Sequence, residues 1–247
     1  MIAVLSPAKT FADAPLVDLP ATEPFFARDA ARLARAAAKL TPPDLQRLMH
    51  ISPTLAALNV ERYGRFAKQD LTPAIAAFDG DVYRGFDAAT LDRRALAFAG
   101  DHVRILSGLY GLLRPTDAIR RYRLEMGTRW APAGGDLYGF WKRRIAARLA
   151  AELAAEGSGT ILNLASKEYW QAVAPHVPRG VRVIDVDFRD DTPEGFRFNA
   201  FVAKKARGAM ARHLCETRAD DPEALSGFAY AGYAHVSTEG DTMRFVR

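Results

Sequence analysis

Ser6-Pro7-Ala8-Lys9-Thr10 directly follows a short apolar run, Ile2 to Leu5, and gathers two hydroxyls and an ammonium in five residues. At the end of a strand such a loop can hold a phosphate through its N–H groups and side chains. It also contains Ser-x-x-Lys, the pattern of a serine nucleophile with a lysine base. That chemistry needs the Ser at a helix start and a Lys-Thr-Gly element elsewhere, and the sequence has no Lys-Thr-Gly. An anion contact is the stronger reading of the loop.

The other candidates are mostly cations. Between Arg104 and Arg148 ten Lys and Arg residues face only three acids, Asp117, Glu125 and Asp136. Lys204, Lys205, Arg207 and Arg212 form a second cluster, with no acid between Phe196 and Leu214. A helix beginning at Lys204 would put Lys204, Lys205 and Arg212 on one face and Ala206, Met210 and Leu214 on the other. Three cations in a first turn oppose the helix dipole by about 0.3–1 kcal/mol each. A bound anion would offset that cost. Gly208 costs about 1 kcal/mol relative to Ala inside a helix, which points to a close approach by a ligand or by a packed helix.

Asp185 and Asp187 alternate along one predicted strand and face the same way, as a divalent-metal site requires. Two acids on the solvated side of a strand are the commoner arrangement, and no third ligand stands at an obvious spacing. The five histidines are dispersed, and the single cysteine, Cys215, excludes an internal disulfide or a thiolate-rich cluster. Dinucleotide, Walker, paired-histidine zinc and Gly-x-Ser-x-Gly signatures are all missing. Neither a cofactor nor a metal is therefore expected.

These residues must be positioned by a mixed α/β framework. Ile2 to Leu5 reads as a buried strand, and a helix is expected from about residue 22 to 40. Thr41-Pro42-Pro43-Asp44 and Ser52-Pro53 are two successive helix starts, predicting helix, tight turn, helix across residues 44–66. Trp141, Ile145, Leu149 and Leu153 predict one long helix over 136–156. Strands are expected at 160–164, 181–188 and 196–202, then a helix over 204–217 and a tail with weak strand signals. Gly108-Leu109-Tyr110-Gly111 resembles a backbone-clamping loop of nucleic-acid-binding domains, but its apolar setting suits close packing better. With no repeat or linker, the 247 residues read as one compact mixed α+β domain whose N-terminal third is mostly helical.

The turn between the two short helices carries the sharpest hypothesis. Leu48-Met49-His50-Ile51-Ser52-Pro53-Thr54-Leu55-Ala56 has the outline of a helix-hairpin-helix, which holds a DNA phosphate by backbone N–H groups. The usual hairpin glycines are lacking, so Ser52 would substitute, and an ordinary αα-corner competes equally. Composition agrees with an acidic partner without choosing one. Hydrophobic residues make up 49%, enough for a substantial core, and the formal charge is +5. A reducing cytoplasmic setting is expected, with no membrane segment.

Several stretches together resemble the YaaA family of bacterial peroxide-stress proteins. They are Ser6-Pro7-Ala8-Lys9-Thr10, Thr41-Pro42-Pro43, Gly80-Asp81-Val82-Tyr83, residues 104–115 (RILSGLYGLLRP), Tyr122-Arg123-Leu124-Glu125-Met126-Gly127, Asn163-Leu164-Ala165-Ser166 and Ala203-Lys204-Lys205-Ala206-Arg207-Gly208. The resemblance implies a cytosolic protein that protects against hydrogen peroxide by limiting free iron. It also implies a mixed α/β fold with a helix-hairpin-helix, a positively charged cleft and DNA binding, and it assigns no catalytic residue.

The expectation is thus a protein that binds double-stranded DNA by backbone or shape. Lys9, Arg104, Arg114, Arg120, Arg121, Arg123, Lys204, Lys205 and Arg207 would supply charge, and the Ile51–Ser52 turn a phosphate contact. The alternative is an enzyme for a small phosphorylated or carboxylated substrate, held between the Ser6–Thr10 loop and the Lys204 helix. The two differ in scale: a duplex needs cations along a path, whereas a pocket gathers three or four around one point.

Overall fold

The computed structural model describes residues 1–13 and 20–247. Strand β1 (Ile2–Leu5) is buried at every position, as a strand covered on both faces must be, and β2 (Thr10–Phe11) follows it closely. Helix α1 (Ala27–Ala37) buries the stripe Ala30, Leu33, Ala34 and Ala37. Thr41 opens α2 (Pro42–Met49) with a capping box shared with Asp44, and His50, at φ 49°, ends it in the left-handed region. Ser52 then caps α3 (Pro53–Gly64), its hydroxyl accepting from the Leu55 N–H at 3.3 Å. The predicted helix, tight turn, helix is present. Ile51, expected to be buried, is only partly so, at the margin of a small cluster of Leu45, Met49 and Ala56 set apart from the main core.

Short elements carry the chain onward: β3 (Thr72–Pro73), α4 (Ala74–Ala77), β4 (Phe78–Asp79), α5 (Asp81–Phe86) and α6 (Arg93–His102). They lead to β5 (Val103–Ser107), β6 (Gly111–Leu113) and β7 (Ala118–Ile119). Next come α7 (Leu137–Trp141), α8 (Arg143–Glu156), β8 (Thr160–Asn163), α9 (Lys167–Trp170) and β9 (Arg182–Arg189). Helix α10 (Ala200–Thr217) and strands β10 (Ala229–Tyr230), β11 (Tyr233–Glu239) and β12 (Thr242–Val246) follow.

Eight strands form one mixed sheet in the order β10-β11-β12-β9-β8-β1-β5-β6. The centre is parallel, with β1 between β8 and β5 and β9 between β8 and β12. The outer pairs are antiparallel. The weak strand signals of the tail therefore become three strands, two of them inside the sheet. From β1 the chain proceeds to β5 on one side, whereas from β8 it proceeds to β9 on the other. Adjacent parallel strands whose connections diverge leave a crevice beyond their carboxyl ends. None of the helices among the described residues is long and apolar enough to cross a membrane.

Three expectations need correction. The helix predicted over 136–156 is broken at Lys142, whose φ of 41° separates α7 from α8. The break accompanies a demand from the core, where Trp141 lies under Gly111 and donates its indole N–H to the Gly108 carbonyl at 2.9 Å. The strand expected at 196–202 is reduced to a single bridge, Asp190 with Arg197. Asn199 ends it by capping α10, accepting from the N–H groups of Phe201 and Val202. Lys204 and Lys205 consequently lie in the second turn of that helix, not the first, and the expected clash with the helix dipole does not arise there.

Candidate functional site

Beyond the carboxyl ends of β1 and β8, each strand runs into a serine. The Ser166 N–H donates to the Ser6 hydroxyl at 2.8 Å, and the two hydroxyl oxygens are 3.2 Å apart. The Tyr83 hydroxyl donates to the Ser6 carbonyl at 3.1 Å, tying α5 to the same point. Around these groups opens a cavity of about 400 Å³, bounded by the Ser6–Thr10 loop, the start of α5, the Leu164–Tyr169 segment and α10. Lys204 and Arg207 line it, three residues apart on α10 and so on one face. Asp81 and Glu168 add carboxylates.

Two glycines fix α10 in place. A Cβ on Gly208 would lie 1.8 Å from the Val82 carbonyl oxygen, and one on Gly85 only 2.1 Å from that of Lys205. The backbones of α5 and α10 are in direct contact, so Gly208 serves helix packing. Lys204 and Arg207, on neighbouring positions, are thereby held over the crevice. Arg207 is partly buried and forms no hydrogen bond or ion pair among the described residues. Burial draws its guanidinium below the ordinary value, and the more distant Asp187 and Asp185 oppose this.

A basic face adjoins the cavity. Helix α3 is pinned to the 119–123 segment by the Tyr63 hydroxyl, which donates to the Arg123 carbonyl at 2.6 Å. This brings Arg62 close to Arg121 and Arg123. Burial first, then the charges of those two arginines, pull the Arg62 guanidinium below its ordinary value. Arg62 sits over the Phe11 ring and has no acidic partner among the described residues. Arg65 and Lys68 are exposed nearby and line a cavity with Arg121.

The predicted cations are divided by the fold. Lys9 is exposed, its ammonium 3.0 Å from Glu125, and that pairing, not one with Ser6, is what holds it. Arg123 shares Glu125 at 2.7 Å and donates to the Lys9 carbonyl. Arg121 donates to the Ala12 carbonyl at 2.5 Å and lies 3.6 Å from Asp13. Arg120 lies over Phe66. Lys204 is exposed and Lys205 half-buried.

Arg104 is elsewhere. It is 4% exposed, paired with Glu152 and donating to the carbonyls of Gly100 and Val103. A guanidinium so enclosed offers no charge to a polyanion, and its expected role is withdrawn. Arg114, 3.7 Å from the same Glu152, belongs to this second group. Ser52 is exposed, but its hydroxyl is occupied as the α3 cap. Asp187 is bound by Arg189 and Arg244, and Asp185 accepts from Asn163. Among the described residues no three His, Cys, Asp or Glu side chains gather as metal ligands.

Arg62, Ser166, Asp81 and Glu168 were not singled out from sequence as site residues. Ser166 had a weaker signal, since the two strands expected at 2–5 and 160–164 each run on to a serine. Arg62, Arg65 and Lys68 had another, a basic run at three-residue spacing that starts in the last turn of the second hairpin helix.

Comparison with known proteins gives a consistent answer. The family described as "Peroxide stress protein YaaA" matches residues 1–239. A UPF0246 protein of Rhizorhabdus wittichii is 55% identical, the match covering 100% of this chain and 99% of that one. A UPF0246 protein of Cereibacter sphaeroides is 49% identical over 95% of this chain and 94% of its own. One from Caulobacter vibrioides is 46% identical over 98% and 97%.

Proposed function

The chain belongs to the family of the peroxide stress protein YaaA, and from that premise we propose that it is a cytoplasmic stress protein that holds duplex DNA by its phosphate backbone. The observation that carries the reading is the crowding of Arg62, Arg121 and Arg123 on one face, where burial first, and then the repulsion of the two neighbouring arginines, draws the Arg62 guanidinium below its ordinary value. A phosphate laid there relieves that repulsion. Arg65, Lys68, Arg120 and Lys9 extend the positive charge on either side. At the α2–α3 turn, neither the Ile51 nor the Ser52 N–H has a backbone acceptor among the described residues, so both can donate to a phosphate oxygen. Contacts of this kind fix position and carry no base sequence.

The test is a duplex titration at several salt concentrations. Log affinity should fall linearly with log salt, with a slope near −0.9 per phosphate contacted. Arg65→Glu with Lys68→Glu, both exposed, should weaken binding at least tenfold, about 1.4 kcal/mol, with an unchanged melting curve. Absence of binding at low salt would remove the proposal, and unaltered affinity in the double variant would remove this face from it.

A further inference from the structure

We propose that the crevice beyond β1 and β8 is a separate binding site for a nucleoside monophosphate, its phosphate held by Arg207, Lys204 and the Ser6–Ser166 serines. The proposal does not depend on the DNA reading.

The first argument is position. Ligands of open α/β sheets bind where adjacent parallel strands send their connections apart, and β1 and β8 are such a pair. The second is size. A cavity of about 400 Å³ lies within the range of roughly 300–1,000 Å³ typical of small-molecule sites and is far too narrow for a duplex.

The third is unsatisfied charge. Most arginines near the crevice are engaged: Arg84 grips Asp79 at 3.1 and 3.2 Å, and Arg123 grips Glu125. Arg207 is partly buried and lines the cavity without a hydrogen bond or ion pair among the described residues. Its guanidinium nitrogens still reach solvent, and an anion in the cavity would replace water there with a charge-matched partner. Lys204, one helical turn away, is exposed toward the same space. Arginine and lysine together suit a phosphate, since the planar guanidinium gives paired N–H donors and the ammonium a point charge. The Ser6 and Ser166 hydroxyls bond to each other and leave capacity for a further hydrogen bond.

The fourth argument sets the rest of the ligand. Asp81 and Glu168 line the same cavity. Their carboxylates repel a bare polyanion and accept hydrogen bonds, which suits hydroxyl and amino groups carried beside the phosphate. Tyr83, Tyr169, Val82 and Leu164 give the lining apolar surface for a ring. Phosphate, donor-bearing sugar and flat base together describe a nucleoside monophosphate.

The test uses the full chain in calorimetry and thermal-shift assays with adenosine, adenosine 5′-monophosphate, its guanosine and pyrimidine counterparts, and inorganic phosphate. At least one monophosphate should bind and raise the melting temperature, inorganic phosphate should do so more weakly, and adenosine should have no effect. Arg207→Gln should weaken monophosphate binding at least tenfold. Should that variant fold poorly, Lys204→Gln, on an exposed side chain, should give a loss of several-fold alone. Arg65→Glu with Lys68→Glu should leave monophosphate binding unchanged whatever it does to DNA. Failure of every monophosphate to bind, or equal binding by Arg207→Gln and Lys204→Gln, would overturn the assignment. Loss of monophosphate and duplex binding together in the Arg65, Lys68 variant would overturn the separateness of the site.

Discussion

Arg104 and Glu152 meet in the interior, the arginine side chain 5% exposed on β5 and the glutamate 9% exposed on α8. Arg148 joins at 2.6 Å and Arg114 at 3.7 Å, so one carboxylate organises three guanidinium groups. Glu152→Gln keeps the shape and removes the charge. Loss of one partner of a buried pair costs about 3–5 kcal/mol, because the other charge stays enclosed. Urea denaturation should show a loss of that order, and a change below about 1 kcal/mol would contradict the pairing. The pH dependence has a definite sign. Burial alone would raise the Glu152 carboxyl, but the charges and hydrogen bonds of Arg104 and Arg148 outweigh it and hold it below its ordinary 4.5. The stabilisation is therefore complete above that value and lost as pH falls through the lower, folded-state value. Denaturation midpoints should drop more steeply below about pH 4.5 in the native protein than in Glu152→Gln.

Gly208 gives a prediction whose sign is diagnostic. On a free helix face, Gly→Ala stabilises by about 1 kcal/mol. Here the new Cβ would meet the Val82 carbonyl at 1.8 Å, with backbone that cannot swing aside. Overpacking of this kind costs about 1–3 kcal/mol or more, so Gly208→Ala should destabilise the fold. A rise in melting temperature would show that α5 and α10 are not in backbone contact.

Cys215 is fully buried, and burial, aided by Glu216 against the opposing charge of Arg212, pushes its thiol up to about 12. The thiolate is what attacks peroxide, and an inaccessible thiol this far from ionising is inert. Treatment of the folded protein with hydrogen peroxide should leave Cys215 reduced by mass spectrometry, while the same treatment in urea should oxidise it. Sulfenic or sulfinic acid at Cys215 under native conditions would overturn this.

The parts of the fold written in local chemistry were legible in the sequence. Thr41 and Ser52 announce helix starts because a hydroxyl and a following proline act within one turn. Ile2 to Leu5 reads as a buried strand because it is apolar at every position. Arg104 misled, since it reads as one of a run of surface cations, with no strand expected there, until the chain 48 residues later supplies Glu152. The start of α10 misled for the opposite reason: Asn199 is a good cap, but Phe196 to Val202 alternates as a strand does. The break at Lys142 has no glycine or proline to mark it, because its cause is the seat of Trp141 beneath Gly111. In the crevice the Ser6 loop, Lys204 and Arg207 were legible as anion-binding types. Their convergence was not, because strand order decides it and sequence spacing does not.

The two serines that join across 160 residues carry a consequence for how the protein comes into being. The crevice draws its walls from four stretches, near residues 6, 81, 166 and 205, and none can form it with a sequence neighbour alone. Closing such distant loops is entropically costly, and contacts of this range slow folding. A chain lacking any one of these stretches has the cations without the cradle, so a monophosphate bound as proposed would report that all four are assembled.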